Sequence, residues 1–309
     1  MNTVLITGAA GNIGSALAVH LASSGKYNVI AIDNLCTGDV SKLGDYKSLS
    51  IEFIKADANC LSTMTSIILS RPIDYIFHYA AMVGVQRTLD NPIGVLDDID
   101  GIKNILNIAK NTGVRKVIFS SSSEVYGEPV SLPQNEEITP LNSKLPYAVV
   151  KNVGECFLKS FHKEYGLNYN IFRFFNTYGP NQSIDFVIPK LLHQALNNAP
   201  ITIFGDGEQS RTFCFIDDNI DASISIFENE NFNNTIFNIG NDIVYTINEL
   251  VKVIIKVTNS TSEIIHLPAL DEGDMTRRCP DISKMKAVLQ RDLIPLEEGI
   301  RRMLKAIKR

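Results

Sequence analysis

Tyr147 and Lys151 stand four residues apart in Tyr147-Ala-Val-Val-Lys151, directly after Pro146. Proline suits a first helical turn, and a spacing of four puts both side chains on one face of a helix. An ammonium beside a phenol favours the phenolate, so the pair would make a general base able to take a hydroxyl proton near neutral pH. Taken alone, such a pair is more often two accidental neighbours on a solvated surface. Upstream lie four serines, Ser120 to Ser123, followed by Glu124. They offer a hydroxyl to hold a reacting oxygen and a carboxylate for a further proton transfer. Read as an extended segment, Ser122 and Glu124 share one side while Ser121 and Ser123 face the other. A solvated or capping serine cluster is the competing reading.

A second group sits at the amino end, in Gly8-Ala9-Ala10-Gly11-Asn12-Ile13-Gly14. An apolar run precedes it and a helical pattern follows. Glycines there let the backbone turn sharply and approach a pyrophosphate, while the helix amino terminus presents N–H donors. Asp33 closes the next apolar run nineteen residues beyond Gly14, where an acid would accept the ribose hydroxyls of a dinucleotide. An acid at that point repels a 2′-phosphate, so the expected cofactor is NAD rather than NADP. Gly8, Gly11, Asn12, Ile13, Gly14, Asp33 and the adjoining Asn34 form the expected cofactor-binding set at this end.

The elements that must position these groups follow from periodicity. Short apolar runs at Thr3 to Thr7, Asn28 to Asp33, Ile51 to Ala56, Ile73 to His78, Lys116 to Ser121 and Asn168 to Phe174 alternate with amphipathic stretches. Ile13, Ala16, Leu17 and Leu21 fall at helical spacing, as do Ile99, Ile102, Ile105, Leu106 and Ala109. Right-handed crossovers between such strands give an α/β fold, a doubly wound parallel sheet of Rossmann type. After about residue 172 the regularity breaks. Ile201 to Phe204 reads as a strand entering the Gly205-Asp206-Gly207 turn, and from Thr246 two helical patterns flank a segment rich in Pro, Asp and Gly, Leu267 to Asp281. The expected division is a dinucleotide-binding domain over 1–172, with roughly 212–240 returning to it, and a smaller carboxy-terminal α/β substrate domain from 173–211 and 241–309.

The 309 residues are 45% hydrophobic and 20% charged, with a formal charge of −5. That is globular composition. It advertises no basic surface, so a nucleic-acid partner is not expected. No apolar run reaches the roughly 18 residues of a membrane span, and the amino terminus lacks a basic region ahead of a cleavable apolar stretch. The expectation is a cytoplasmic protein without a membrane partner. Five scattered cysteines without a Cys-x-x-Cys pair argue against a metal or a disulfide framework.

The glycine turn resembles that of the extended short-chain dehydrogenase/reductase family, in its NAD-dependent nucleotide-sugar epimerase, dehydratase and decarboxylase branch. The resemblance runs from Thr3 to about Met303. It is carried further by His78-Tyr-Ala-Ala81 with Val85, Thr88 and Pro92, by Ser120-Ser-Ser-Ser-Glu-Val-Tyr-Gly127, by Tyr147-Ala-Val-Val-Lys151 and by Arg173-Phe-Phe-Asn-Thr-Tyr-Gly-Pro180.

That resemblance implies a catalytic set of Ser122, Tyr147 and Lys151, with Ser121 and Ser123 as alternatives for the hydroxyl, and Glu124 beside them. Asp57 and Ala58 would border the adenine, Ala80 and Ala81 the middle of the NAD, and Lys151 the nicotinamide ribose. Ser122 and Asn176 would touch the sugar nucleotide, and Arg211 and Arg278 its diphosphate, with Arg277 competing for the latter role. Arginine suits a diphosphate because its planar fork binds two oxygens at once. Where many relatives carry Asn ahead of the next helix glycine, this chain has Asp98 before Gly101, a departure that bears on one cofactor-side hydrogen bond.

The implied chemistry opens with removal of the C4 hydroxyl proton and hydride transfer to NAD. Three fates of the 4-keto sugar stay open: return of hydride to the other face, which is C4 epimerisation; loss of water across C5 and C6; or loss of a C6 carboxylate as carbon dioxide. Glu124 speaks for a dehydratase or decarboxylase. Ser123 departs from the Asp of the dTDP-glucose dehydratase pattern, but GDP-mannose dehydratases and decarboxylases tolerate a small residue there. The segment from His78 to Pro92 speaks for an epimerase, which is the favoured reading, with a UDP-sugar as substrate. A non-catalytic dinucleotide-sensing protein would have lost the Tyr147 and Lys151 pair. A homodimer packed through helices around 92–111 and 147–165 is expected from the family.

Overall fold

The computed structural model describes residues 1–269 and 278–307. In chain order its elements are β1 (Asn2–Thr7), α1 (Asn12–Ser23), β2 (Tyr27–Asp33), β3 (Ile51–Lys55), α2 (Leu61–Leu69), β4 (Tyr75–His78), α3 (Val85–Asp90), α4 (Pro92–Leu96), α5 (Asp98–Ala109), β5 (Lys116–Ser122), α6 (Pro146–Tyr165) and β6 (Asn168–Phe174). Then follow β7 (Thr177–Tyr178), α7 (Val187–Leu196), β8 (Ile201–Phe204), β9 (Ser210–Thr212), β10 (Cys214–Phe215), α8 (Ile216–Glu228), β11 (Thr235–Ile239), β12 (Val244–Thr246), α9 (Ile247–Thr258), β13 (Ile264–Leu267), α10 (Ser283–Leu289) and α11 (Leu296–Ile307). No described helix is long and apolar enough to cross a membrane.

One compact unit comprises Met1–Val125, Ser143–Phe174 and Ile220–Phe237. Its seven-stranded sheet has the order β11-β6-β5-β4-β1-β2-β3, and the pairings from β6 across to β3 are parallel. Runs such as Val4 to Ile6 and Val117 to Phe119 are buried throughout, because helices cover both faces of a parallel sheet and leave no solvated alternate positions. The chain lays β2 and β3 outward on one side of β1, then returns to the other side for β4. The boundary between β1 and β4 is therefore the point where strand order reverses, and the loops leaving their carboxyl ends diverge into a crevice. Helix α6 lies against β5: a methyl group at Gly154 would collide with the Phe119 ring. Ile102, Ile105, Phe119, Val150, Leu158 and Ile171 share one core cluster, each such buried apolar side chain contributing roughly 1.5–3 kcal/mol.

The other unit comprises Tyr126–Asn142, Phe175–Asn219 and Asn238–Arg309. It holds three two-stranded pairings, β7 with β10, β8 with β13 and β9 with β12. Helix α9 starts in a capping box, the Thr246 hydroxyl accepting from the Glu249 N–H at 3.0 Å and the Glu249 carboxylate from the Thr246 N–H at 2.8 Å.

Two expectations change here. Residues 126–142 and 212–219 belong to this second unit, whereas the expected division placed both in the first. The reason is pairing at long range: the Gln134 N–H donates to the Cys279 carbonyl, the Gln134 carbonyl accepts from the Asp281 N–H, both at 2.8 Å, and the Glu136 carboxylate accepts the Asn238 N–H at 2.9 Å. Local periodicity carries no record of such partners. Beyond Asp281, two helices rather than one occur, and β13 pairs in parallel with β8.

Candidate active site

Gly8 adopts φ +70°, and a Cβ there would come within 2.7 Å of the Ala80 backbone nitrogen. A Cβ on Gly14 would collide with the Gly8 carbonyl, so both positions require glycine for the turn to close. Helix α1 begins after Gly11 with no side-chain cap and no acid in its first turn, leaving the N–H groups of Asn12, Ile13 and Gly14 without the usual capping acceptor. Asn12 Oδ1 is buried there without a hydrogen-bond partner. An orphaned acceptor beside uncapped donors suits a bound dinucleotide.

Asp33 ends β2 and fixes this turn. Its Oδ2 accepts the Ala10 N–H at 2.9 Å and its Oδ1 the Leu35 N–H at 2.8 Å. Each carboxylate oxygen still has a lone pair for a ribose hydroxyl. Asn34 is exposed and accepts the Cys36 N–H at 2.9 Å. Asp57 is exposed and accepts the Asn59 N–H at 2.9 Å, while Ala58 is buried. Ala80 and Ala81 are half-buried on the loop leaving β4.

Thr7 holds that loop. Its hydroxyl accepts the N–H groups of Tyr79 and Ala80, both at 3.2 Å, and lies 2.9 Å from His78 Nδ1. With both lone pairs engaged, the Thr7 proton donates to the ring. This matches a neutral His78, whose pKa burial pushes down to about 3, with the Lys151 charge adding to the effect.

Lys151 is buried, with Nζ 3.3 Å from Ser120 Oγ, 5.0 Å from the centroid of the Phe119 ring and 5.7 Å from that of Tyr147. Burial lowers its pKa to about 8, and the Asp98 carboxylate opposes the shift. Asp98 lies in the first turn of α5, where its Oδ2 accepts the Met82 N–H at 2.8 Å and its Oδ1 accepts from Asn59 Nδ2 at 3.2 Å. The departure flagged at Asp98 thus ties the loop after β4 to the loop after β3.

The serine run requires a correction. Strand β5 ends at Ser122, and Ser123–Tyr126 forms a 3-10 turn, so Ser122 and Glu124 do not share a side by extended alternation. Instead the Ser122 hydroxyl accepts the Glu124 N–H at 3.2 Å, a local side-chain bond that competes with continued strand. Ser121 donates to Glu155 at 2.6 Å in the core, which removes it as a substrate-facing hydroxyl. Ser123 is buried.

In the second unit, Asn176 has φ +21°, and its side-chain amide donates to the Thr212 carbonyl at 3.1 Å. The neighbouring Arg211 guanidinium donates to the Ser210 carbonyl at 2.7 Å. Asn176 and the Arg211 strand are therefore brought together. Arg278 is buried one residue before Cys279, on the segment laid along Gln134; Arg277 lies outside the described residues.

Thr7, Ser120 and Glu155 were not expected from the sequence as parts of the site. Thr7 and Ser120 could have been suspected from their place at the carboxyl ends of β1 and β5, where ligands of such sheets bind. Glu155 stands one turn beyond Lys151 on the same helical face.

The profile of the NAD dependent epimerase/dehydratase family matches residues 4–240. The putative UDP-glucose 4-epimerase of Methanocaldococcus jannaschii is 33% identical over 99% of this chain and 98% of its own. UDP-glucuronic acid decarboxylase 4 of Arabidopsis thaliana is 32% identical over 98% of this chain and 68% of its own. The crystal structure of UDP-glucose 4-epimerase with UDP-glucose from Thermotoga maritima superposes with a TM-score of 0.92 at 31% identity, covering 99% of this chain and 98% of that one.

Proposed function

Because this chain belongs to the NAD-dependent epimerase/dehydratase family, we propose that it inverts C4 of a nucleotide-diphosphate sugar, a UDP-sugar in the first place, through transient oxidation at that carbon. The observation that carries the reading is Lys151 buried at the edge of β5 with Tyr147 one helical turn away, its ring centroid 5.7 Å from the ammonium. A phenol and an ammonium so placed, close to the crevice where strand order reverses, suit removal of a proton from a sugar hydroxyl.

Gly8, Gly11, Asn12, Ile13, Gly14, Asp33 and Asn34 would hold the adenosine and pyrophosphate of NAD, Asp57 and Ala58 its adenine, Ala80 and Ala81 its middle, and Lys151 the second ribose. The orphaned Asn12 Oδ1 and the uncapped α1 terminus fit that occupant. When bound, NAD supplies a reversible two-electron oxidant that accepts and returns hydride at the sugar carbon. Tyr147 takes the C4 hydroxyl proton as the carbonyl forms and gives it back on reduction. Lys151 stabilises the phenolate between those events. Ser122, at the carboxyl end of β5, donates to the C4 oxygen. In the second unit Asn176, Arg211 and Arg278 would engage the diphosphate end.

The likeness to a putative UDP-glucose 4-epimerase and to a solved UDP-glucose 4-epimerase supports this reading. Glu124 favours a second reading, 4,6-dehydration or loss of a C6 carboxylate, because it places a further acid–base group two residues from Ser122, able to take the C5 proton in the first case or to supply one to C5 in the second. Incubation with UDP-glucose, UDP-N-acetylglucosamine and UDP-glucuronic acid, followed by mass and NMR analysis, separates the readings. Unchanged mass with an inverted C4 supports epimerisation; loss of water or of carbon dioxide replaces it with dehydration or decarboxylation. The same reading includes a cytoplasmic homodimer packed through α4, α5 and α6, which sedimentation of the purified protein tests.

A further inference from the structure

We propose that Ser121, Glu155 and Arg173 form a buried clamp of positioning residues, which sets the Tyr147 and Lys151 face of α6 against the serine end of β5. The inference rests on the assignment of Tyr147 and Lys151 to proton transfer.

Glu155 follows Tyr147 and Lys151 at successive spacings of four on α6 and has no exposed side-chain surface. Arg173, on β6, is 2% exposed. Its Nε donates to Glu155 Oε1 at 2.8 Å and its Nη2 to Oε2 at 2.7 Å, a two-pronged match of guanidinium to carboxylate. The Ser121 hydroxyl donates to the same Oε1 at 2.6 Å. Ser121 and Arg173 are register partners on adjacent strands, so one carboxylate fastens α6 to β5 and β6 together. The β5 attachment lies between Ser120, which meets Lys151, and Ser122, which holds the turn to Glu124.

Stability alone does not call for this arrangement. Removing two ions from water costs several kcal/mol per ion, and apolar side chains of similar volume commonly serve a core as well or better. What the carboxylate adds is direction: three hydrogen bonds of fixed geometry define where the helix sits along the strands. Proton transfer rewards such definition, since a misplacement of about 1 Å can cost about 10²-fold in rate. The attraction between an ammonium and a phenolate also falls as their separation grows.

Ser121→Ala tests the clamp with little risk to the fold, because Glu155 keeps its Arg173 partner. The chain contains no Trp, so phenolate absorbance can be followed without indole background, and the titration of wild type minus Tyr147→Phe isolates Tyr147. Around the pair stand neutral His78 from β4, Asp98 from α5 and Ser120 from β5, none altered by the substitution. The expected wild-type midpoint lies below the ordinary phenol value of about 10. In Ser121→Ala, measured against its own Tyr147→Phe counterpart, it rises by about half a unit or more. With UDP-glucose as substrate, kcat falls about threefold to tenfold while KM stays within about twofold, and Ser121→Thr, which keeps the hydroxyl, restores both. A Ser121→Ala protein that melts earlier yet keeps the wild-type midpoint overturns the clamp. A wild-type midpoint at the ordinary phenol value overturns both the clamp and the base assignment. The titration needs no substrate, so it decides the clamp even where UDP-glucose is not turned over and the epimerase reading fails.

Discussion

Lys151 reaches Ser120, not Ser122: the ammonium lies 3.3 Å from the Ser120 hydroxyl, which in turn donates to the His78 carbonyl at 3.4 Å. The serine run thereby divides its work. Ser120 seats the lysine, Ser121 joins the buried Glu155, and Ser122 shapes the turn that carries Glu124. Ser122, at the strand end, is the hydroxyl we propose for the sugar oxygen.

The seat of Lys151 has a consequence for pH. Burial brings its pKa down to about 8 while Asp98 opposes the shift. Turnover should therefore decline on the alkaline side around pH 8, as the ammonium that stabilises the Tyr147 phenolate is lost. Asp98→Asn removes the opposing charge, so the decline should move to lower pH, which a kcat profile of the two proteins checks; an unmoved or raised limb contradicts the assignment. Stability has the opposite sign. An unfolded lysine holds its proton to about 10.4, so the cost of burying the ammonium is present in full below about 8 and is relieved as pH climbs through that window.

Tyr147→Phe removes the proposed proton acceptor and almost no volume. Turnover should drop by about 10²- to 10⁴-fold, while dinucleotide released from the purified protein, read by its absorbance, stays at the wild-type ratio. Near-native turnover by the variant would assign the base elsewhere.

Asp33→Ser bears on cofactor choice. On the proposed reading Asp33 would offer its carboxylate to ribose hydroxyls and repel a 2′-phosphate, so wild type should bind NAD more tightly than NADP, and the variant should lose that preference in calorimetric titrations. The substitution also takes acceptors from the Ala10 and Leu35 N–H groups, at about 1–3 kcal/mol for a buried donor left unsatisfied, so a lowered melting temperature accompanies it. Equal affinity of wild type for NADP contradicts the role of Asp33.

The parallel sheet was legible because each of β1 to β6 is a short apolar run set off by the stretches between, and the glycine turn because the positive φ of Gly8 and the contact of Gly14 with the Gly8 carbonyl are local. Tyr147 and Lys151 were legible for the same reason, their relation being a helical spacing. What escaped depends on distant partners. Gln134 meets Cys279 and Asp281 across the chain, and Glu155 meets Arg173 from another strand. The turn at Ser123–Tyr126 escaped because a run of serines supports strand or turn equally; in the structure the Glu124 N–H donates to the Ser122 hydroxyl, which favours the turn.

Glu124 separates the fates of the keto sugar. It sits in the 3-10 turn that leaves β5, half-buried, with its backbone fixed to the Ser122 hydroxyl. Glu124→Gln keeps that turn, the side-chain shape and its capacity to hydrogen-bond, but cannot accept a proton. In an epimerase the required proton moves are those of Tyr147, so the variant should lose about tenfold or less, roughly 1.4 kcal/mol of barrier. In a dehydratase a carboxylate must also take the C5 proton after oxidation at C4. The same substitution would then leave the first oxidation intact and stall the next step, lowering turnover by about 10² or more and letting reduced NAD accumulate on the protein. The expected result is the mild one, with no rise in dihydronicotinamide absorbance during turnover of a UDP-hexose. A large loss with trapped reduced cofactor would transfer the C5 proton to Glu124 and replace epimerisation with dehydration.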